Sequence, residues 1–154
     1  MKKQWLMTLA AISAAITLYA ENPSDTFICI ETEKSSMILE AREGEVIFHH
    51  YGSKVGDPAQ FKGLNSYRRA DYGTDPQAYP ATGGRYFNEA ALTIEHPGSQ
   101  WNTELEYISH QSHELSDGVT RTCVFLEDPM TAVKVQLIYD AYRDEDVIIC
   151  HSEI

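Results

Sequence analysis

The sequence predicts an all-β chain. Beyond the first 20 residues, no stretch carries the 3.6-residue apolar period of an amphipathic helix. Short runs rich in valine, isoleucine, threonine, tyrosine and phenylalanine recur instead between turn residues. Two of the later runs also alternate apolar and polar side chains, which is typical of strands with one solvated face.

Three strands are predicted before residue 52. They cover residues 26–31, 36–40 and 45–51. The turn Arg42-Glu43-Gly44 leads into the third strand. Glycine suits this turn because it adopts backbone angles that other residues resist.

Five more strands are predicted after residue 90. They cover residues 91–95, 103–111, 119–126, 132–142 and 147–154. In the second of these, alternation places Leu105, Tyr107 and Ser109 on one face. Glu104 and Glu106 then belong to the opposite, solvated face.

The last predicted strand, residues 147–154, runs directly to the end of the sequence. An apolar strand without a turn, a partner or a charged ending leaves an open sheet edge, and such an edge recruits other strands. We therefore expect a fragment whose domain is incomplete at its C-terminus.

Residues 52–90 form one long predicted loop that is rich in glycine and proline. Loops beyond about 12 to 15 residues are uncommon in compact domains and tend to be functional where they occur. The many aromatic side chains here indicate packing against another domain or a sugar ring. The sequence does not decide whether this loop contacts a substrate. These aromatic residues are Tyr51, Phe61, Tyr67, Tyr72, Tyr79, Tyr86 and Phe87.

Residues 1–20 have the order of a secretory signal peptide. Lys2 and Lys3 precede an apolar run, and Ala20 ends it before a polar segment. The apolar run is short for a membrane span, which needs about 20 residues. We therefore expect a periplasmic or secreted protein whose domain covers residues 21–154.

Composition excludes several classes of partner and enzyme. Acidic side chains outnumber basic ones by 23 to 12, which gives a formal net charge of −11. Because lysine and arginine do not cluster in the sequence, nucleic acids and anionic membranes are not expected partners. The 154 residues are also too few for a (β/α)₈ barrel, which needs roughly 250.

Three cysteines, Cys29, Cys123 and Cys150, lie within apolar strand-like runs. Export permits a disulfide, but an odd count does not describe a disulfide framework. Two interpretations stay open: three buried thiols that act as small hydrophobic residues, or one pair with a free thiol.

The chain contains histidines and acidic residues, which are common metal ligands, but their spacing does not favour a metal site. His110 and His113 are three residues apart, so on a strand they point to opposite faces. Asp140 and the acidic run 144–146 do not match an EF-hand loop, and a solvated turn explains that run better. No metal or cofactor is predicted. The other histidines, His49, His50, His96 and His151, are expected at the surface or at sheet edges.

No catalytic residue is predicted either. The chain has no Gly-x-Ser-x-Gly elbow, no glycine-rich phosphate loop and no cysteine with recognisable partners. Glycoside cleavage needs two carboxyl groups on opposite sides of a sugar, and the sequence places no pair in that way. Glu104 and Glu106 are interpreted as the polar side of a strand.

Several motifs nevertheless resemble one enzyme family in their order along the chain. Residues 79–92 (YPATGGRYFNEAAL), 105–110 (LEYISH), 126–129 (LEDP) and 133–139 (VKVQLIY) resemble the N-terminal domain of family 36 glycoside hydrolases, the microbial α-galactosidases. His50-Tyr51-Gly52 is similar as well. Together these matches cover most of the chain after the signal peptide.

The resemblance implies a mostly antiparallel β-sandwich, the first part of a larger supersandwich. In this family the sandwich precedes a (β/α)₈ barrel, absent from this sequence, whose two aspartates hydrolyse terminal α-galactosides with retention. The expected partners are therefore α-galactoside oligosaccharides, bound through the missing barrel, and a homo-oligomer is compatible with the family. No residue of this chain is assigned a catalytic or substrate-binding role.

The residues alone leave a second interpretation open. A stand-alone secreted sandwich could bind carbohydrate or protein through its aromatic loop. The sequence following Ile154 in the genome would discriminate between the two interpretations.

Overall fold

A computed structural model describes residues 26–64, 76–83 and 89–154 of the protein. In these ranges the chain forms seven β-strands and one short 3₁₀-helix, which confirms the predicted all-β class. The strands are β1 Thr26–Glu31, β2 Ser35–Arg42, β3 Glu45–Ser53, β4 Glu106–Ser116, β5 Val119–Glu127, β6 Lys134–Tyr142 and β7 Val147–Glu153, and the 3₁₀-helix covers Pro58–Phe61. The predicted signal peptide lies outside the described residues.

The strands form two antiparallel sheets. The first contains β1, β2 and β3 in that order, and the second contains β4, β5, β6 and β7. Each strand pairs with its neighbour in sequence, so both sheets are simple meanders. The sheets are open, with β1 and β3 at the edges of one and β4 and β7 at the edges of the other.

The hydrophobic core lies between the two sheets. Alternate residues of the first sheet, including Ile28 and Leu39, form one buried cluster with Val124 and Leu137 of the second. Since successive side chains of a strand point to opposite faces, this alternation gives each sheet one apolar face, and the two faces pack together. The structure is therefore a β-sandwich, as the family resemblance implied.

The prediction of a strand at residues 91–95 is wrong. Only Leu92 pairs there, in an isolated parallel bridge with Ala81. The amides of Ala91 and Leu92 both donate to the carbonyl of Pro80, at 2.8 and 3.3 Å. The segment is thus fastened at one point to a neighbouring loop and does not extend into a ladder.

A β-bulge changes the predicted faces of β4. Tyr107 pairs with Leu126 and is buried in the core, but Ser109 pairs with Phe125, so Ile108 is an extra residue. An inserted residue reverses the alternation that follows it. Ser109 therefore lies on the outer face, not with Tyr107 as predicted, and the Ile108 side chain is 55% exposed.

The predicted long loop is partly ordered by contacts with the sandwich. Residues 76–83, here called the strap, join β3 through a bridge from Gln77 to Ile47 and join Thr103 through a bridge from Gly83. Tyr79 also hydrogen-bonds Ser152 of β7, at 3.2 Å between the two hydroxyl oxygens. Residues 65–75 and 84–88, with four of the loop's aromatic residues, lie outside the described ranges.

In the described ranges, no helix has the length and the apolar character needed to cross a membrane.

Gly83 allows the closest approach of the strap to the sandwich. A Cβ atom at this position would lie 2.3 Å from the Thr103 carbonyl oxygen, which is far inside van der Waals contact. We expect Gly83→Ala to lower the free energy of unfolding by about 2 kcal/mol, the usual cost of overpacking.

Urea unfolding of both glycine variants tests this prediction. Gly56→Ala is the matched control, because no heavy atom lies within 4 Å of a Cβ added there. The control should stay within about 0.5 kcal/mol of the unsubstituted protein. Equal effects of the two substitutions would contradict the proposed close approach.

Candidate functional site

An acidic cleft of about 350 Å³ opens at one end of the sandwich. Four glutamates stand around it, and its other lining residues include Val46, Leu126 and the strap residues Gln77, Tyr79 and Ala81. The glutamates are Glu43, Glu45, Glu104 and Glu106.

A tight hairpin turn positions two of these glutamates. Glu43 and Gly44 both have positive φ, +49° and +86°, as a two-residue turn between antiparallel strands requires. The Gly44 carbonyl accepts a hydrogen bond from the Tyr107 amide at 2.6 Å, which ties the hairpin to the start of β4. The turn and the start of β4 therefore lie together at the same end of the sandwich.

Asp128 fixes the segment that precedes β4. This aspartate is 2% exposed, and it accepts hydrogen bonds from the amides of Met130, Thr131 and Glu104. Burial raises the pKa of Asp128, but the three amide donors outweigh it and the net pKa lies below the ordinary value. The sequence indicated only a turn here, because the bond to Glu104 spans 24 residues.

The cleft offers hydrogen-bond acceptors and negative charge. Carboxylates accept hydrogen bonds from hydroxyl groups, and their charge disfavours anions. The cleft therefore suits a neutral polyhydroxylated molecule or a cation better than a phosphate. Glu104 and Glu106, predicted on the polar side of a strand, are among its lining residues.

A buried polar cluster on the outer face of the first sheet was not predicted. Glu40 is 0% exposed, and its Oε2 atom accepts from His49 Nε2 at 2.8 Å and from Arg42 Nη1 at 3.1 Å. A bulge beside Ile38 brings His49 to this face together with His50. The only sequence signal was an acidic residue within an apolar strand. His49 was expected at the surface or at a sheet edge; it lies on the edge strand β3, but its side chain is buried and not at the surface.

The structure keeps His110 and His113 apart, as the sequence predicts. His110 pairs with Val124, whose side chain lies in the core, whereas His113 pairs with Arg121 on the outer face. His110 Nδ1 lies 2.7 Å from the Tyr107 hydroxyl. Within the described ranges, no three histidine, cysteine or acidic side chains come together as a metal site would require.

An ion pair occupies the outer face of the second sheet. Arg121 donates to Asp140 through Nε and Nη2, at 2.6 and 2.7 Å. These bonds, followed by the charge of Arg121, hold the pKa of Asp140 below its ordinary value despite burial. Asp140, weighed from the sequence as a calcium ligand, is thus bound by a neighbouring strand.

The acidic run near residue 145 forms a turn, as predicted. Asp146 accepts hydrogen bonds from the hydroxyls of Thr32, in the turn between β1 and β2, and of Ser35, the first residue of β2. The bond from Thr32 is the main reason that the pKa of Asp146 lies below its ordinary value. This turn fastens the two sheets to each other.

All three cysteines are free thiols in the structure. Cys123 is buried, as one interpretation expected, but Cys29 and Cys150 are exposed. Partial burial raises the pKa of both exposed thiols, and Glu31 adds to the effect at Cys29. The protonated form therefore prevails at neutral pH, and protonated thiols are poor nucleophiles.

One protein-family model matches most of the chain. The model of the glycosyl hydrolase family 36 N-terminal domain matches residues 44–154. No curated protein sequence matches the chain.

Solved α-galactosidases share the fold. The family 36 enzyme AgaA from Geobacillus stearothermophilus superposes with a TM-score of 0.74 and 19% identity, over 82% of this chain and 21% of that one. The α-galactosidase from Lactobacillus brevis gives 0.71 and 18%, over 85% and 21%. An AgaA variant bound to raffinose gives 0.69 and 18%, over 82% and 21%. The chain thus spans about a fifth of the length of these enzymes.

Asp128 predicts how stability depends on pH. Because the folded state lowers its pKa, the contribution of Asp128 is fully present above the unfolded value near 4 and is lost as pH falls through the folded value. Asp128→Ala should lower the free energy of unfolding at pH 7 by about 2 kcal/mol, since hydrogen bonds to charged groups are lost.

Urea midpoints between pH 7 and pH 2.5 measure this effect. The difference between Asp128→Ala and the unsubstituted protein should shrink as the pH falls below 4. Asp117→Ala, in the exposed turn between β4 and β5, serves as the control and should change little. A constant difference across the whole range would contradict the role given to the Asp128 carboxylate.

Proposed function

Because the chain belongs to the N-terminal domain family of the family 36 glycosyl hydrolases, we propose that it is the first part of an α-galactosidase. In this proposal the reaction takes place in a separate barrel domain, encoded downstream of Ile154, where two aspartates cleave terminal α-galactosides in two steps with retention. The segment from 21 to 154 has a structural or oligomerising role and borders the active site.

The observation that carries the proposal is the family match across residues 44–154, combined with the small share of the solved enzymes that the chain spans. The open edge of β7 and the cleft at the end of the sandwich are consistent with it. Both are surfaces that additional strands or a second domain would cover.

We propose α-galactoside oligosaccharides as the substrates of the whole enzyme. Structures of AgaA variants contain raffinose and stachyose, which are sugars of this class. The acidic cleft supports a position near such a substrate, because carboxylates are suitable acceptors for sugar hydroxyls. We also propose that residues 1–20 direct export, so that the enzyme works in the periplasm or outside the cell.

Expression of the chain alone and of the longest open reading frame that contains it tests the proposal. The longer protein should hydrolyse an aryl α-galactoside, and the chain alone should not. A stop codon directly after Ile154, or turnover by the pure chain, would overturn it. Calorimetric binding of oligosaccharides by the inactive chain would favour the stand-alone binding module instead.

The open edge of the second sheet predicts self-association of the isolated chain. Ile149 lies on the edge strand β7 and is exposed, and apolar edge strands pair with other chains. We expect Ile149→Glu to reduce aggregation several-fold, as measured by light scattering at rising protein concentration.

Met130→Glu is the control for this experiment. It makes the same change of charge and apolarity at a 90% exposed position in the turn between β5 and β6. It should leave aggregation nearly unchanged. Equal protection by both substitutions would show that net charge, and not the β7 edge, governs association.

A further inference from the structure

The segment from Asp57 to Leu64, here called the cover, lies over the outer face of the first sheet. It contains the 3₁₀-helix and is held internally by short-range bonds, such as Lys62 to Ala59 at 3.0 Å and Leu64 to Phe61 at 3.0 Å. None of the residues in the helix is fully buried. The cover therefore contributes little to the core between the sheets.

Contacts of Phe61 and Leu64 join the cover to the sheet beneath it. The Phe61 ring lies 5.7 Å from the ring of His49 and 5.6 Å from that of His50, measured between centroids. Arg42 Nη1 donates a hydrogen bond to the Leu64 carbonyl at 3.2 Å. The same nitrogen also donates to Glu40, so one guanidinium connects the cover to the buried polar cluster of Glu40 and His49.

The buried cluster is incompletely satisfied while the cover is closed. Glu40 Oε1 and His49 Nδ1 are both buried, and neither has a hydrogen-bond partner among the residues that the structure describes. A buried polar atom without a partner carries the full cost of its lost hydration. Opening of the cover would allow water to hydrogen-bond to both atoms. This gain offsets part of the free energy that opening costs.

We propose that the cover opens as a unit, independently of the sandwich, with Arg42 as its latch. The segment has the features of a region of low local stability, since it has few buried contacts and exposed backbone hydrogen bonds. Opening exposes the ionisable groups of Glu40, Arg42 and His49. This inference is independent of the proposed function.

Chemical labelling distinguishes local opening from global unfolding. His49, whose side chain is fully buried, reports on the cover through its modification by diethyl pyrocarbonate. Cys123, which is buried on the outer face of the second sheet and belongs to its inner strand β5, reports through a thiol reagent on unfolding that disrupts this sheet. In the unsubstituted protein, His49 should become accessible at least 100-fold more often than Cys123, with a weaker dependence on urea.

The latch is tested with Arg42→Met. This variant should raise the labelling rate of His49 at least 10-fold, with a smaller change at Cys123. Lys134→Met is the control, because it removes a cation from an ion pair on the other sheet, at the far end of β6 from the strand position paired with Cys123. It should leave the labelling of His49 unchanged relative to that of Cys123.

Two results would overturn the inference. The first is labelling of His49 and Cys123 at the same opening frequency with the same urea dependence in the unsubstituted protein. This comparison remains decisive if Arg42→Met fails to fold. The second is a folded Arg42→Met variant whose His49 labelling rises no more than in Lys134→Met.

Discussion

The mutual burial of two apolar sheet faces is the constraint on which the rest of this structure depends. Ile28 and Leu39 on one sheet and Val124 and Leu137 on the other are almost fully buried in a common cluster. Burial of apolar surface of this kind stabilises the folded state by roughly 25 cal/mol per Å². The strands present such faces by alternating apolar and polar side chains between their bulges, and this requirement fixes their register.

Polar contacts then fix the ends of the sandwich. At one end, Asp146 accepts hydrogen bonds from the hydroxyls of Thr32 and Ser35 where β1 turns into β2, and at the other end the Gly44 carbonyl accepts one from the Tyr107 amide. The strap crosses from β3 to β7 between these ends. These links connect elements that are far apart in sequence, and they create the cleft where the glutamates stand.

Two buried carboxylates illustrate different consequences of burial. Asp128 receives three backbone amides, so its charge is well compensated and its turn is rigid. Among the described residues, Glu40 receives two side-chain donors on one carboxylate oxygen and none on the other. A buried group whose hydrogen bonds are all formed is held in a single geometry, whereas a buried group that lacks a hydrogen bond gains free energy when water reaches it. The first supports a fixed framework, and the second supports local opening.

The sequence by itself determined the fold class, most of the strands and the opposite faces of His110 and His113, because alternation and turn residues are local properties. β1 has the predicted bounds, and the family motifs imply the sandwich that the structure contains. The tertiary structure alone decided where alternation breaks. The bulge at Ile108 reversed the face of Ser109, and the bulge beside Ile38 brought His49 to Glu40. The tertiary structure also decided that Leu92 pairs at a single point and that Asp128 binds the distant Glu104 amide. These features depend on which strands become neighbours, and contacts between distant segments leave no periodic signal in the sequence.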